Sequence, residues 1–581
     1  MKKLLALVLC LASVFTMFVG CKGNNSKDGD EGPTIPMYFT NEVANFDPAY
    51  GNLDDSAMKI MSLIYEGLFK YDSNGKVVKA QAKSIKKLDK PSKDYYAIEI
   101  TLKNTSWSDG TPVLASDYIY AWKRILESSF RGEAANMLFC IKNARKVHDG
   151  DATIDDLGIT DVSKRVIRIE FEGKTDYNQF YEYLASPMLV PLREFQVGRV
   201  PNDWSSNASI MVSNGAFMVR SYVAGTKLLL ERNSHYHGKE NVKPFRIEIK
   251  YGYSETDIFS DEELYQSFLD GNIVYNGEIP LDKRAELLKN KKVTVKDTMS
   301  VMSCIFDTTN ELLSDPQIRR ALSMAIDRNE ITKILTFASP AKGLIAEGVF
   351  NTANGKKKAS FRDKGETLIA ASADLDAAKE LLRGKTKGEL KLVVRDNDAD
   401  IAVAEYIKGV WKELGYTVKI QKLGVQSYRD SNELNLVKDK YIEAYNSGSF
   451  DVILVDYLMF STDAFSNLAS FALPFAGGAM DMTVTDGNYQ LAPHVSGYSN
   501  PEYDALIEAA YAETNASKRA ELLHQAEKML MNDMPIMPLV QLKNAYQKNG
   551  DLSGVKTNYY GFYTFNSASL KNRSKYEEAK D

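Results

Sequence analysis

Cysteine and histidine are scarce in this chain of 581 residues, with four and five copies respectively. Catalytic signatures are scarce too, since no C-x-x-C, H-E-x-x-H, G-x-S-x-G or P-loop pattern occurs. His235 and His237 could suggest a metal, but their segment, NSHYHG, is polar and has no nearby Cys, Asp or third His. That pattern favours a solvated loop. We therefore expect no catalysis, no metal and no cofactor.

An excess of positive charge is also lacking, because 72 Lys and Arg stand against 77 Asp and Glu, a net charge of −5. Removal of residues 1–20, which carry two lysines and no acid, would make the net charge −7. A nucleic-acid partner is therefore not expected. No stretch after residue 19 approaches 18 consecutive apolar residues, so we expect a soluble body.

The N-terminus has the pattern of a targeting segment. Lys2 and Lys3 precede an uncharged run at 4–19, which is shorter than the roughly 20 apolar residues of a membrane-spanning helix. A small residue, Gly20, stands before Cys21, as lipoprotein signal peptidases require. We expect residues 1–20 to be a signal peptide and Cys21 to carry a lipid; the alternative is an ordinary signal with an incidental cysteine.

Residues 22–33 contain no large apolar side chain, so the segment 21–33 is expected to be a flexible, lipid-anchored tether. The protein would then be exported and held on a bacterial membrane, facing the periplasm or the cell exterior. Cys140 and Cys304 are the cysteines left over. They could form a disulfide in an oxidising compartment, but the sequence does not give their separation, and we expect them to remain thiols.

Strand and helix patterns alternate along the body, which is long enough for two or three domains. Strands are predicted at 96–102, 166–171, 227–231 and 245–250, and helices at 117–126, capped by Ser116, and after Asn500. From 374 to 457 helix and strand alternate, ending in an apolar run, FDVILVDY at 450–457. An apolar run without alternation is typical of a strand buried on both faces of a parallel or mixed sheet. The pattern predicts an α/β protein.

Asp456 stands at the carboxyl end of this predicted buried strand, where ligand crevices open in α/β sheets. A carboxylate at that place can face a cleft and bind a cation. It can equally cap a helix or pair with a local arginine, and the local sequence does not decide between the two.

Taken in order, a series of segments resembles the family of large ABC-importer solute-binding proteins typified by oligopeptide-binding and dipeptide-binding proteins. These segments span nearly the whole mature chain: FDP at 46–48, YEGL at 65–68, DSNG at 72–75, WSDGTP at 107–112, SDYIYAWKR at 116–124, NGAF at 214–217, LERN at 230–233, DGNI at 270–273, RRALSMAIDR at 319–328 and YSNPEYD at 498–504.

The resemblance implies a periplasmic-binding-protein type II clamshell, with two lobes of mixed sheets plus an extra domain, and a ligand between the lobes. The implied domains are listed by residue number: 34–50, 200–296 and 525–570 for the core of lobe 1 (domain I), 51–199 for the extra domain packed on it (domain II), 297–524 for lobe 2 (domain III) and 571–581 for a flexible tail.

Site residues also follow from the resemblance. Peptide-binding members carry a W-x-x-D-Y segment whose aspartate pairs with the peptide α-ammonium, and Asp456 and Tyr457 occupy that place here. Tyr120 matches a tyrosine that lines the cleft. A loop beside the ligand corresponds to Asn52, Leu53 and Asp54. The chain departs from the family at Ile453, where Trp is usual, and at 458–461, where LMFS replaces an acidic-proline pair.

The resemblance thus implies a monomeric binding lipoprotein that delivers short peptides to permease subunits and their cytoplasmic ATPases. A second reading keeps the clamshell but changes the ligand to an oligosaccharide, a metal chelate or a signalling peptide, because the ligand's N-terminal pocket is altered. A third reading is a surface lipoprotein that acts as an adhesin or sensor.

Overall fold

The computed structural model describes residues 32–38, 43, 45–53, 55–73, 75–127, 133–199, 204–206, 208–223, 227–251, 261–350, 360–362, 367–429, 435–476 and 494–577. The predicted signal peptide, Cys21 and the tether up to residue 31 lie outside these ranges. Within them, no helix is both long enough and apolar enough to cross a membrane.

Strands of the described residues fall into one large sheet, one four-stranded sheet and several two-stranded pairs. They are β1 Thr34–Tyr38, β2 Phe69–Tyr71, β3 Val77–Lys79, β4 Ala82–Lys87, β5 Ala97–Leu102, β6 Ile159–Ser163, β7 Val166–Glu170, β8 Phe217–Val223, β9 Lys227–Arg232, β10 Arg246–Lys250, β11 Tyr275–Asn276, β12 Thr294–Phe306, β13 Ala338–Pro340, β14 Glu389–Arg395, β15 Thr417–Leu423, β16 Val425–Arg429, β17 Asn435–Asp439, β18 Val452–Leu458, β19 Ile536–Lys548, β20 Leu552–Ser553, β21 Lys556–Thr557, β22 Tyr563–Thr564 and β23 Ser569–Leu570.

Helices cover the sheets and connect their strands. They are α1 Asp55–Ile64, α2 Ala115–Leu126, α3 Ala144–His148, α4 Tyr177–Tyr183, α5 Glu194–Arg199, α6 Asp261–Leu269, α7 Leu281–Lys289, α8 Pro316–Met324, α9 Arg328–Leu335, α10 Leu375–Leu381, α11 Asp398–Glu413, α12 Lys440–Ser447, α13 Ala464–Ala469, α14 Pro501–Ala512, α15 Ala516–Asp533 and α16 Ser574–Glu577.

The large sheet is mixed, in the order β15-β14-β18-β12-β19-β11-β1-β10-β9-β8, with β13 on β19. Its strand β18 is buried except at Asp456 and runs parallel to β14, with Leu392 opposite Val452. The prediction of a strand buried on both faces is confirmed, and so is the α/β fold class.

Two long strands, β12 and β19, lie in the middle of the large sheet and connect its two halves. Thr294–Asp297 of β12 pair with the end of β19 near β11, whereas the part of β12 from Ser300 onward pairs with β18. Between Asp297 and Val301 the register with β19 shifts. We call β1, β8–β11, α1, α6 and α7 the first lobe and the described residues within 300–533 the second lobe.

The four-stranded antiparallel sheet, β4-β5-β7-β6, belongs to what we call the outer domain, the described residues within 82–199. Its helix α2 begins one residue before Ser116, so the prediction of a Ser116 cap is wrong. Asp117 caps the helix instead, because its carboxylate accepts the Leu114 N–H at 2.8 Å and the Trp107 indole N–H at 3.0 Å.

Helix α14 begins as its sequence predicts. The Asn500 side chain accepts the Glu502 N–H at 2.9 Å, and Pro501 fills the first helical position. The C-terminal segment differs from expectation. Tyr576 is buried and donates to Asp551 at 2.7 Å, so a flexible tail cannot begin at residue 571. The other domain boundaries stay a prediction.

Candidate functional site

The carboxyl ends of two parallel strands, β14 and β18, meet at one edge of the second lobe. Arg395 is the last residue of β14, and Asp456 lies near the end of β18. Both line a cavity of about 130 Å³. Ser56 and Lys59 of helix α1 in the first lobe close its other side. The predicted residue Asp456 is therefore placed on the wall of a cleft between the two lobes, as expected for an α/β sheet.

Charges of both signs line this cavity. They are the cations Lys59, Arg284, Arg395 and Lys543 and the acids Glu278, Asp400 and Asp456. Some of these charges are paired with protein groups, as Arg284 is with Glu278 and Lys543 with Asp297. The lining as a whole nevertheless presents both signs of charge to a ligand.

Arg284 ties the two lobes together at the edge of the cavity. Its guanidinium donates to the Ile279 carbonyl at 2.7 Å and to the Leu335 carbonyl at 3.1 Å, and it pairs with Glu278 at 3.1 Å. Because Leu335 belongs to the second lobe, these bonds hold the first-lobe wall of the cavity against α9.

The sequence did not indicate Arg395 as a site residue. Its guanidinium pairs with Asp439 at 3.1 Å and lies 4.2 Å above the centre of the Tyr441 ring. The predicted alternation of helix and strand from 374 to 457 contains Arg395, but only the structure shows that its strand lies beside the one that carries Asp456. Burial raises the pKa of the nearby Asp400 to about 6, although Arg395 lowers it.

Tyr457 lies on the opposite face of β18 from Asp456, because successive side chains of a strand alternate. It is fully buried, and its hydroxyl contacts Glu133 of the outer domain and Ser470. The structure thus separates Tyr457 from the cavity that Asp456 lines. A ligand role for Tyr457 stays a prediction.

Tyr120 lies half-buried on α2, outside the residues that line the cavity. Its neighbour Arg124 forms a two-pronged ion pair with Asp47. Asp47 immediately precedes the 3₁₀ helix Pro48–Leu53, and that helix packs against β18. The predicted ligand loop is therefore beside the strand of Asp456, although the side chains of Asn52 and Leu53 and all of Asp54 lie outside the described residues.

A second contact between the outer domain and the second lobe is centred on Asp463, which is fully buried. Arg519 binds its carboxylate with two bonds of 3.0 and 2.7 Å, and Gln179 and Tyr183 of the outer domain donate at 2.6 and 2.7 Å. Burial raises the pKa of Asp463, but Arg519 outweighs it, so the pKa is lowered and the carboxylate is charged.

Further direct bonds cross the same boundary. Arg145 pairs with Glu508, and Ser186 donates to the Phe460 carbonyl at 2.6 Å. The outer domain and the second lobe are thus in contact, with no solvent gap at these bonds. None of these residues was found from the sequence, because the partners lie hundreds of positions apart and no local pattern relates them.

The cysteines and the histidine that the sequence singled out contact other groups of the protein. Cys140 and Cys304 are free thiols. His237 is not a solvated loop residue, since its Nε2 lies 2.5 Å from the buried Glu66 carboxylate. Among the described residues, no group of three His, Cys, Asp or Glu side chains is arranged to hold a metal ion.

Comparisons with known proteins agree with this architecture. Residues 76–479 match the family model described as bacterial extracellular solute-binding proteins, family 5, middle part. The oligopeptide-binding protein OppA of Bacillus subtilis is 25% identical over 97% of this chain and 99% of its own length. The dipeptide-binding protein DppE of the same species is 26% identical over 97% of this chain and 98% of its own.

Solved structures show the same clamshell fold. The murein tripeptide binding protein MppA of Escherichia coli gives a TM-score of 0.74 at 23% identity, covering 93% of this chain and 99% of its own. A structure of MppA in an unliganded open form, with 93% and 98% covered, gives only 0.52. We call the arrangement of this chain, in which direct bonds join the outer domain and the second lobe, the closed form.

Proposed function

Because the chain belongs to family 5 of the bacterial extracellular solute-binding proteins, we propose that it captures short peptides between its lobes and delivers them to an ABC permease. Members of this family are binding proteins, and the chain is not an enzyme. Its relatives OppA and DppE are named for binding oligopeptides and dipeptides. Those names support a peptide as the ligand of this chain as well.

One observation carries the peptide proposal: Asp456 and cations line the same cleft between the lobes. A short peptide is a zwitterion with an ammonium group at one end and a carboxylate at the other. Asp456 would hold the ammonium through a charge-assisted hydrogen bond, and the cations would balance the carboxylate. Backbone hydrogen bonds of an extended peptide, which do not depend on side chains, would add affinity for many sequences.

The lobes would capture the peptide by closing over it, with β12 and β19 as the hinge. These strands pair with strands of both lobes, β19 with β11 and β12 with β18, and their register shift between Asp297 and Val301 gives them a place to bend. In this proposal the open form admits the peptide, the closed form retains it, and docking on the permease releases it. The protein acts as a monomer.

The mass spectrum of small molecules that co-purify with the protein from its native host tests the proposal. Peptides of two to several residues, released on denaturation, would support it. An oligosaccharide or a metal chelate in their place would reject peptide capture and favour the second reading of the clamshell. That reading has one structural observation in its favour: Leu458–Ser461, which replace the family's acidic-proline pair, are fully buried against the outer domain.

Membrane anchoring at Cys21 is a separate part of the proposal. It is supported by the sequence around Cys21, in which a positively charged start and an apolar run end at Gly20-Cys21. Expression of the Cys21→Ser variant tests it. The variant is expected in the soluble fraction, and the natural chain in the membrane fraction with the mass of a lipid on its first residue. Growth on peptides as sole amino-acid source, lost on deletion of the gene, would separate an importer from an adhesin or sensor.

A further inference from the structure

The carboxylate of Glu133 is held at the boundary between the outer domain and the second lobe. Glu133 begins the 3₁₀ helix Glu133–Leu138, and its side chain is 11% exposed. The Tyr445 hydroxyl donates to its Oε1 at 2.9 Å, and the Tyr457 hydroxyl donates to its Oε2. His494 Nε2 lies 3.6 Å from Oε1. Three polar groups thus converge on one carboxylate.

All three groups come from the second lobe, each from a different element. Tyr445 lies on α12, Tyr457 on β18, and His494 in the segment before α14. The acceptor alone comes from the outer domain. Opening of the lobes would withdraw Glu133 and leave the three groups together, because the elements that carry them belong to one body.

The imidazole of His494 is oriented for this role. Its Nδ1 contacts the Ser496 hydroxyl at 2.9 Å and the Ser496 backbone N–H at 3.2 Å, and these contacts turn Nε2 toward Glu133. Its ring also packs on Phe471 at 4.2 Å between centres. The hydroxyl of Tyr457 is further fixed by Ser470 at 3.1 Å. Ring packing and neighbouring bonds therefore hold donors in place whether or not a carboxylate is bound.

The groups that face Glu133 are suited to bind an anion that carries one negative charge. Burial alone would raise its pKa, but His494 and the two tyrosines outweigh burial and lower it. Burial and the Glu133 charge raise the pKa of both tyrosine hydroxyls, so these remain protonated donors. Two phenols and one imidazole provide up to one positive charge. A carboxylate matches that better than a phosphate, for which arginine pairs are the usual partners.

We propose that Tyr445, Tyr457 and His494 form a carboxylate-recognition site on the second lobe, which Glu133 occupies when the lobes are closed and which the carboxylate of a ligand can occupy when they are open. The second part of this statement rests on the proposed peptide capture. The first part does not. In the closed form Glu133 is a built-in occupant that holds the outer domain on the second lobe.

Chemical rescue with acetate tests the site without any peptide. The mature chain is freed of bound ligand by unfolding and refolding, and its radius of gyration is measured by small-angle X-ray scattering. Glu133→Ala is expected to enlarge the radius, because the lobes open more often. Acetate is expected to bind the vacated donors, fill the place of the lost carboxylate and return the radius toward the natural value with a saturable dose dependence. Sodium chloride at equal ionic strength is expected to have no such effect.

A matched control removes the donors. The triple variant with Glu133→Ala, Tyr445→Phe and Tyr457→Phe should be as open as the single variant but should not respond to acetate. An acetate response of equal size in the triple variant, no response in the single variant, or an unchanged radius for Glu133→Ala would each overturn the proposal. Circular dichroism checks the fold of each variant. If Glu133→Ala does not fold, Glu133→Gln replaces it, and an unchanged radius for this isostere would overturn the proposal equally.

The test also separates the two proposals. Intact acetate rescue together with no peptide binding in calorimetry would leave the carboxylate site standing and reject peptide capture. Peptide binding without acetate rescue would reject the carboxylate site and leave peptide capture standing.

Discussion

The hydroxyl of Tyr183 donates a hydrogen bond of 2.7 Å to Asp463 across the boundary between the outer domain and the second lobe. Asp463 is fully buried and already bound by Arg519 on its own lobe. The ion pair therefore keeps the carboxylate charged, and Tyr183 adds a donor that only the closed arrangement supplies. Closure brings a preformed acceptor and a preformed donor together.

The first prediction concerns this bond. Tyr183→Phe leaves the ion pair but removes one donor from a buried carboxylate, so the free energy of unfolding should fall by about 1–2 kcal/mol. Urea titration followed by circular dichroism measures it. Tyr181→Phe on the same helix is the control, because the Tyr181 ring stacks on Phe69 at 5.0 Å and its loss of a hydroxyl should change little. Equal effects of the two changes would contradict the role of the Asp463 bond.

The second prediction concerns the ligand. Asp456→Asn removes the charge that would pair with a peptide ammonium, which is worth about 1.5–3 kcal/mol, so calorimetry should show roughly tenfold to hundredfold weaker binding. An N-acetylated peptide should bind the natural chain and the variant alike. Asp396→Asn is the matched control, because Asp396 is exposed beside Arg395 and does not line the cavity. Unchanged affinity in Asp456→Asn would exclude Asp456 as the ammonium partner.

The third prediction concerns acid stability. Glu66 is buried, and although burial alone would raise its pKa, bonds from His237 and Lys70 lower the pKa to about 2. A carboxyl whose folded pKa lies below its unfolded value stabilises the fold above the unfolded value and loses that contribution as the pH falls. Between pH 4.5 and 2, Glu66 should therefore cost about 3 kcal/mol of stability as it takes up its proton.

Denaturant titrations across that pH range measure the effect. Glu66→Gln should flatten the fall of stability with pH, whereas the exposed Glu405→Gln on α11 should leave it unchanged. A natural chain and a Glu66→Gln variant with parallel pH profiles would show that Glu66 titrates normally.

The fourth prediction concerns a glycine beside the long strands. Gly561 has a φ of +84°, and a Cβ on it would lie 2.4 Å from the Asp297 carbonyl oxygen. Gly561→Ala should therefore lower the free energy of unfolding by about 1–3 kcal/mol. At Gly550 a Cβ meets nothing within 4 Å, so Gly550→Ala should leave stability unchanged or raise it by up to about 1 kcal/mol. Thermal melts of both variants compare them; a stable Gly561→Ala would show that the Asp297 backbone can move.

Local patterns were enough to predict the elements that carry the cleft. Strand β18 was predicted from an apolar run without alternation, and Asp456 was predicted to lie at its carboxyl end. The local sequence left open whether Asp456 faces a cleft or pairs locally. Helix α14 was predicted from Asn500 and Pro501. In each case the residues that determine the strand or helix lie within that element or next to it, so no knowledge of distant residues was needed.

The contacts that close the lobes could not be predicted in this way. Glu133 and His494 are neighbours only because the outer domain and the second lobe meet, and nothing in either local sequence records the other. The prediction of the residue that caps α2 was wrong for a different reason. Ser116 and Asp117 are both capable capping residues, and the choice between them was made by Trp107, whose indole N–H binds Asp117.

The paired strands β12 and β19 have a mechanical consequence. Since β19 pairs with β11 of the first lobe and β12 pairs with β18 of the second, the proposed opening of the lobes would twist this two-stranded ribbon. A twisted ribbon stores elastic energy and returns it, as a torsion spring does. The angle of the proposed opening would then depend on the stiffness of a few residues around the register shift, and a small twist there would become a large displacement at the outer ends of the lobes. Stiffening or loosening those few residues would tune how long a captured solute is kept, without altering a single residue that touches it.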